Sequence, residues 1–247
     1  MMSQTEINRL PQMNDVWQQT LNWQPNAERE QLFQQVYQEI LAGNKIQNLT
    51  RITDSDGFWE KHLWDSLSGI VGLKEEIQQD LEVIDIGTGA GFPGIPLAIA
   101  FPHWKVTLLD STRKKITFVN DTIAKLGIDN ATGIVARAEA LGRIQGDRQS
   151  YDIAMVRAVS KASVCAEYAL PLVKIGGLAV LYRGHWSNED TVNLRSAAGK
   201  LGAKIELIYP WETPLTQGVR HCIYLRKHSG TSKQYPRDIG IPDKQPL

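Results

Sequence analysis

Apolar positions follow two rhythms along this chain. Up to about residue 81 they recur at helical spacing; from Glu82 onward short apolar runs alternate with helical stripes. In the first part, Leu32, Phe33, Val36, Tyr37, Ile40 and Leu41 mark one face of a helix. Asn26 suits its N-cap, Glu28 and Glu30 suit its electropositive first turn, and Gly43 is read as its stop. Trp17, Leu21 and Trp23 predict a shorter helix ahead of it. Trp59, Leu63, Leu67, Ile70 and Val71 form a third stripe.

In the second part the pattern predicts strands at 83–86, 105–110, 134–135, 153–156, 178–182, 205–209 and 221–225. Helices are predicted near 93–100, 113–126, 162–173 and 189–201, with a brief helical turn at 138–141. Repeated strand–helix units imply an α/β fold, a mostly parallel sheet of seven strands covered on both faces. No helix separates the last two strands, so they are expected as an antiparallel pair at the edge. The chain thus divides into a helical N-terminal extension, 1–81, an α/β unit, 82–227, and a polar tail, 228–247. Pro236, Pro242 and Pro246 predict that the tail is extended, and mobile where nothing holds it.

Composition narrows the function classes. Lys and Arg number 27 against 27 Asp and Glu, so any nucleic-acid surface has to be local. The N-terminal extension holds about twice as many acidic as basic residues, which disfavours it for gripping phosphate backbone. The basic candidates are Arg113-Lys114-Lys115 and the stretch from Arg220, with six Lys or Arg against two acidic residues. No apolar run reaches membrane length and the N-terminus lacks a signal-type apolar segment, so a soluble cytoplasmic protein is expected. Cys165 and Cys222 lack redox or metal spacing and the five histidines show none, so no metal is expected.

The chemistry concentrates where the first strand runs into glycines. Val83-Ile84-Asp85-Ile86 reads as a strand buried on both faces, and Gly87, Gly89 and Gly91 let backbone approach a ligand closely. Gly89 to Gly94 spells G-x-G-x-x-G, which suggests a dinucleotide. Against that, Pro93 removes one of the N–H groups a pyrophosphate needs, and the Asp85 carboxylate repels it. Read as Asp-x-Gly-x-Gly-x-Gly, Asp85 to Gly91 suits a ligand with an amino-acid end and a sulfonium, S-adenosylmethionine. Asp110, ending the second strand, is placed for ribose hydroxyls with either ligand. Too little chain follows the sheet for a dehydrogenase's substrate domain. Adenosylmethionine is the favoured ligand.

The run Asp85–Pro96, DIGTGAGFPGIP, resembles the signature of the RsmG (glucose-inhibited division protein B) family of small-subunit ribosomal RNA methyltransferases. Asn48-Leu49-Thr50, Lys61-His62-Leu63-Trp64-Asp65-Ser66-Leu67, Arg137-Ala138-Glu139 and Arg157-Ala158-Val159 agree with it, as does the ending Tyr235-Pro236-Arg237, Gly240 and Pro242 to Leu247. Asp238-Ile239 departs from it, where many relatives have a basic and a small residue. The resemblance implies a class I, Rossmann-like methyltransferase that moves a methyl group from S-adenosylmethionine to N7 of a guanine in 16S ribosomal RNA. It places cofactor contacts on Gly87, Phe92, Ala138, Glu139 and Arg157, and in some members on Asp110, Ser111 and Thr112; Asp85 and Gly89 join them from the turn itself. Guanine N7 bears a lone pair and no proton, so no catalytic acid or base is expected.

Plainer roles stand beside these. Asp85 would merely cap the turn, Glu139 cap a helix, Arg157 pair with Asp152, Phe92 pack, and His62 be structural or touch RNA. Trp186 and Trp211 are more readily packing than base-stacking residues. The remaining functional alternatives are a methyltransferase of another substrate and a non-catalytic ribosome-binding protein that keeps the fold. A monomer is expected, with the small ribosomal subunit as partner.

Overall fold

The computed structural model describes residues 9–73 and 75–247, so residues 1–8 of the N-terminal extension lie outside it. Helix α1 is Asn14–Leu21 and α2 is Ala27–Asn44, whose N-cap Asn26 side chain accepts the Arg29 N–H as the sequence implies. Gly43 is not the stop. It lies inside α2, where a Cβ would come within 2.5 Å of the Phe118 ring; its absence lets two helices approach closely. Trp23 falls just beyond α1 but still packs on Trp17, with ring centroids 5.7 Å apart. The third stripe is helical yet irregular. Short α3, Ser55–Phe58, runs into a π-helical turn, Trp59–Trp64, then α4, Asp65–Leu67.

Next comes the α/β unit: β1 Glu82–Ile86, α5 Gly94–Ala100, β2 Lys105–Asp110, α6 Arg113–Leu126, β3 Ala131–Val135 and α7 Ala138–Leu141. It continues with β4 Tyr151–Arg157, α8 Ala162–Ala169, β5 Val173–Arg183, α9 Asn188–Lys200, β6 Ala203–Glu212 and β7 Val219–Lys227. The seven strands lie in the order β3-β2-β1-β4-β5-β7-β6, and only the pairings of β7 are antiparallel. Helix α8 stops at Ala169, earlier than its apolar stripe suggests, because Pro171 follows and Val173 already pairs with Tyr151. Gly176-Gly177 forms no separating turn; it lies in an irregular stretch of β5 across which the register with β4 shifts.

Alternation along β1 sorts the core. Ile84 and Ile86 join the α8 and α9 side with Val164, Leu194 and Ala198. Val83 joins the other side, where Trp17, Phe33, Tyr37, Trp59 and Trp64 of the extension pack with Leu97 and Trp104. Strand order reverses between β1 and β4, and the carboxyl ends of those strands open a crevice there. The tail is not a free extended arm. It packs back on the α/β unit and ends in α10, Ile241–Lys244, because buried Glu167 takes the Arg237 guanidinium at 2.6 Å.

Candidate functional site

The glycine turn leaves β1 and doubles back over it. Gly87, Gly89 and Gly91 have φ of +76°, +61° and +103°. They are not equivalent. A Cβ on Gly87 would strike Val159 and one on Gly91 would strike Ile95, whereas one on Gly89 has nothing nearer than a carbonyl at 3.9 Å. Gly89 is where the missing side chain opens onto space. Six of the turn's amides are already committed: Gly87 and Thr88 donate to the Leu109 carbonyl, Gly91 and Phe92 to the Thr88 carbonyl, Gly89 to Asp110 and Gly94 to Asp85. Pro93 has no N–H. The turn therefore lacks the convergent amides that a pyrophosphate cradle needs.

Asp85 lies beneath the turn, fully buried, and lines neither cavity described below. Its Oδ2 accepts the Gly94 N–H at 2.8 Å, which ties the start of α5 to β1. Desolvation pushes the carboxyl up to about 6, partly opposed by the Thr88 hydroxyl, the Gly94 amide and Arg157. Thr88 Oγ1 lies near, but neither it nor Asp85 Oδ1 makes a hydrogen bond of good geometry.

Two cavities meet at the turn and share Gly87, Lys115 and Ala158. The smaller, about 320 Å³, runs along the ends of β2 and β3 and is bordered by Asp110, Ser111, Thr112, Ala138, Glu139 and Tyr168. Asp110 is largely buried; its Oδ1 accepts the Thr112 N–H and its Oδ2 the Gly89 N–H, so one carboxylate sets the geometry of both loops. Glu139, also buried, opens α7 and accepts the Gly240 N–H from the tail.

The larger cavity, about 610 Å³, is ringed by cations: Lys61, Lys115, Arg157, Arg183 and Arg220, with Asp65 the one carboxylate among its lining residues. Arg157 ends β4. It donates to Asp65 at 2.8 Å and to the Lys61 carbonyl at 2.9 Å, not to Asp152, which pairs with Lys174. The π-helical turn offers that carbonyl because the Asp65 N–H reaches back five residues to Glu60. Arg220 on β7 approaches the other Asp65 oxygen at 3.4 Å. Phe92 packs: His62 stacks on it at 4.7 Å and the Arg157 guanidinium lies 5.7 Å from its centroid. Burial first, then Arg157 and Lys61, drive the His62 pKa down to about 3, so the ring is neutral and no general acid. Cys222, pushed up by burial to about 12, is no nucleophile.

Placement sorts the candidate residues. Gly87, Asp110, Ser111, Thr112, Ala138 and Glu139 border the smaller cavity; Gly87, Gly89, Phe92 and Arg157 border the larger. Asp85 borders neither. The basic tail stretch is mostly spoken for: Arg226 pairs with Glu76 and Glu206, buried Lys227 donates to two carbonyls, and Arg237 pairs with Glu167. Trp186 donates to Thr191, and Trp211 packs edge-on to Trp64. Arg220 borders the larger cavity from the basic stretch noted in the sequence, whereas Asp65, though it stands in a noted motif, and Arg183 are site residues that the sequence does not single out. Among the described residues no His, Cys, Asp and Glu cluster fits a metal ion, and no helix is long and apolar enough to cross a membrane.

Comparison with known proteins agrees on the lineage. A crystal structure of a 16S rRNA adenine N1-methyltransferase from Catenulisporales acidiphilia has a TM-score of 0.52 at 16% identity, covering 64% of this chain and 90% of that one. The antibiotic-resistance methyltransferase Kmr gives 0.52 at 18%, covering 64% and 92%. These show the fold alone. A ribosomal RNA small subunit methyltransferase G from Nostoc sp. is 52% identical over 97% of this chain and 99% of its own. One from Trichodesmium erythraeum is 52% identical over 100% and 98%. The family model described as rRNA small subunit methyltransferase G matches residues 29–212, more than half of the chain, so the protein belongs to that family.

Proposed function

We propose that this protein transfers a methyl group from S-adenosylmethionine to N7 of a guanine in 16S ribosomal RNA, acting in the cytoplasm as a monomer. The observation that carries the reading is the match to named relatives along essentially the whole chain, at 52% identity. The residues present fit the methyl donor. Carboxylates of Asp110 and Glu139 in the smaller cavity suit a nucleoside without phosphates, and the void at Gly89 leaves room on the larger-cavity side of the turn. Asp110 would take the ribose hydroxyls, Ala138 and Glu139 the base, and Gly87, Gly89, Ser111, Thr112, Phe92 and Arg157 would shape the remaining contour. Asp85 acts from behind, by fixing the turn to α5.

The bound donor supplies an electrophilic methyl on a sulfonium. Guanine N7 would take that methyl as the carbon–sulfur bond breaks, moving the positive charge from sulfur to the purine with no proton transferred, so no side chain need act as acid or base. The protein's work is therefore alignment, worth several kcal/mol or more. The cation-ringed larger cavity, open beside Gly89, is where the RNA base would enter. Its arginines would hold flanking phosphates, and Asp65 would keep Arg157 and Arg220 in place. Two free, buried thiols agree with a reducing compartment. The test is methyl transfer to small ribosomal subunits lacking the modification, with the product base identified. N7-methylguanine is expected; its absence sinks the reading.

A further inference from the structure

The C-terminal segment returns from β7 across α7 and α8 to the mouth of the smaller cavity. Arg148 Nη1 donates to the Tyr235 carbonyl at 2.8 Å and Nη2 to the Thr231 carbonyl at 2.6 Å. Arg237 gives its backbone N–H and its guanidinium to Glu167, whose side chain is 0% exposed. Lifting the tail would leave that buried carboxylate without its partner, a costly state, so the tail is clamped down. Beyond the clamp, the Gly240 N–H donates to Glu139 at 3.0 Å, and the Ser160 hydroxyl donates to Asp243. Asp243 lines the rim of the same cavity as Asp110 and Glu139.

The charges argue against an arm for RNA. Arg237 is spent on Glu167, exposed Lys233 and Lys244 do not border the cavity, and the one charged tail side chain among its lining residues is the carboxylate of Asp243. A carboxylate at a nucleoside cavity accepts from amino or hydroxyl groups and repels phosphate. We propose that the tail completes the cofactor site. Asp243 closes the adenosine end of the cavity and accepts a hydrogen bond from the adenosine moiety. Arg237 and Gly240 are positioning residues, which hold Asp243 and Glu139 in place. This rests on the reading that the cavity takes adenosylmethionine.

The test uses the full-length chain. Calorimetry on wild type, Asp243→Ala and the double variant Arg237→Met/Glu167→Met measures binding of adenosylmethionine and of adenosine. The double variant replaces the ion pair with apolar side chains, which spares the fold the unpaired charge. For Asp243→Ala, both ligands should weaken together by about tenfold, since adenosine carries the same group. The unliganded Tm and the KM for small subunits should stay unchanged, while the KM for adenosylmethionine rises in step with its Kd. The double variant should weaken both ligands in the same ratio as each other. Unchanged affinity in the variants overturns the proposal, as does a raised KM for subunits with cofactor affinity intact. Wild type that fails to bind adenosylmethionine overturns the functional reading itself, and this proposal with it.

Discussion

At the scale of single residues, the turn separates glycines that serve packing from one that faces a void. Gly89→Val adds a branched side chain where the nearest atom to a Cβ is a carbonyl oxygen at 3.9 Å, at a φ of +61° that disfavours β-branching. Calorimetry should find adenosylmethionine binding lost, while circular dichroism shows the fold retained; normal binding would move the cofactor elsewhere. Asp85 yields a prediction of opposite sense. Its carboxyl sits at about 6 against an ordinary 3.8, so between those values the folded state holds a proton that the unfolded state has released. Stability from this group is therefore present at low pH, declines as pH rises through the window, and is level above it. Asp85→Asn removes the decline and keeps an acceptor for the Gly94 N–H. Urea unfolding should show the variant more stable at pH 7.5, by roughly 3 kcal/mol at most, with the gain vanishing near pH 4. A variant less stable at pH 7.5 would mean that the neighbours support the ionised carboxylate rather than penalise it.

At the scale of elements, the β6–β7 hairpin carries Arg220 to the cavity, and Glu60 of the π-helical turn holds it. This buried carboxylate accepts the Leu215 and Thr216 amides at 2.6 and 2.8 Å and the Thr216 hydroxyl at 2.6 Å. Burial alone would raise its pKa, but the bonds from Thr216 and Leu215 outweigh that and hold it below the usual 4.5. The stabilisation is thus complete above 4.5 and lost as pH falls through the lower folded value. Glu60→Gln should cost about 1–3 kcal/mol at pH 7, and less as pH drops below 4.5, in urea titrations at both pH values. A pH-independent cost would assign the loss to packing.

The same elements show where sequence is a good guide. Strand 105–110 and helix 113–126 were readable to the residue, because Asp110 and Gly127 punctuate a clean period. The α–π–α run at 55–67 was not, since its stripe looks like one ordinary helix. Residues at strand ends could be named in advance because each follows its strand directly. The Asp65–Arg157–Arg220 cluster could not. It joins positions 92 and 63 residues apart, which only strand order and a five-residue helical bond bring together.

At the scale of the whole molecule, the helical extension and the sheet share one apolar core. Trp17, Phe33, Tyr37 and Trp64 belong to the same buried cluster as Val83, Leu97, Trp104 and Tyr224. Polar ties reinforce the seam: the Tyr182 hydroxyl donates to the Ser66 carbonyl at 2.8 Å, and the Lys125 ammonium pairs with Glu39 at 2.6 Å. Neither part can leave without exposing large aromatic surface on the other, and such exposure couples segments into one transition. Urea unfolding followed by tryptophan fluorescence, to which Trp17, Trp23, Trp59 and Trp64 of the extension contribute beside Trp104, Trp186 and Trp211 of the α/β unit, should therefore coincide with helicity followed by circular dichroism. Adenosylmethionine at a hundred times its Kd should move both curves together, by the equivalent of about 2.7 kcal/mol. An extension that melts first, with a fluorescence change at lower urea that the cofactor does not shift, would make residues 1–81 an independent unit; a single shared midpoint makes them part of the catalytic fold.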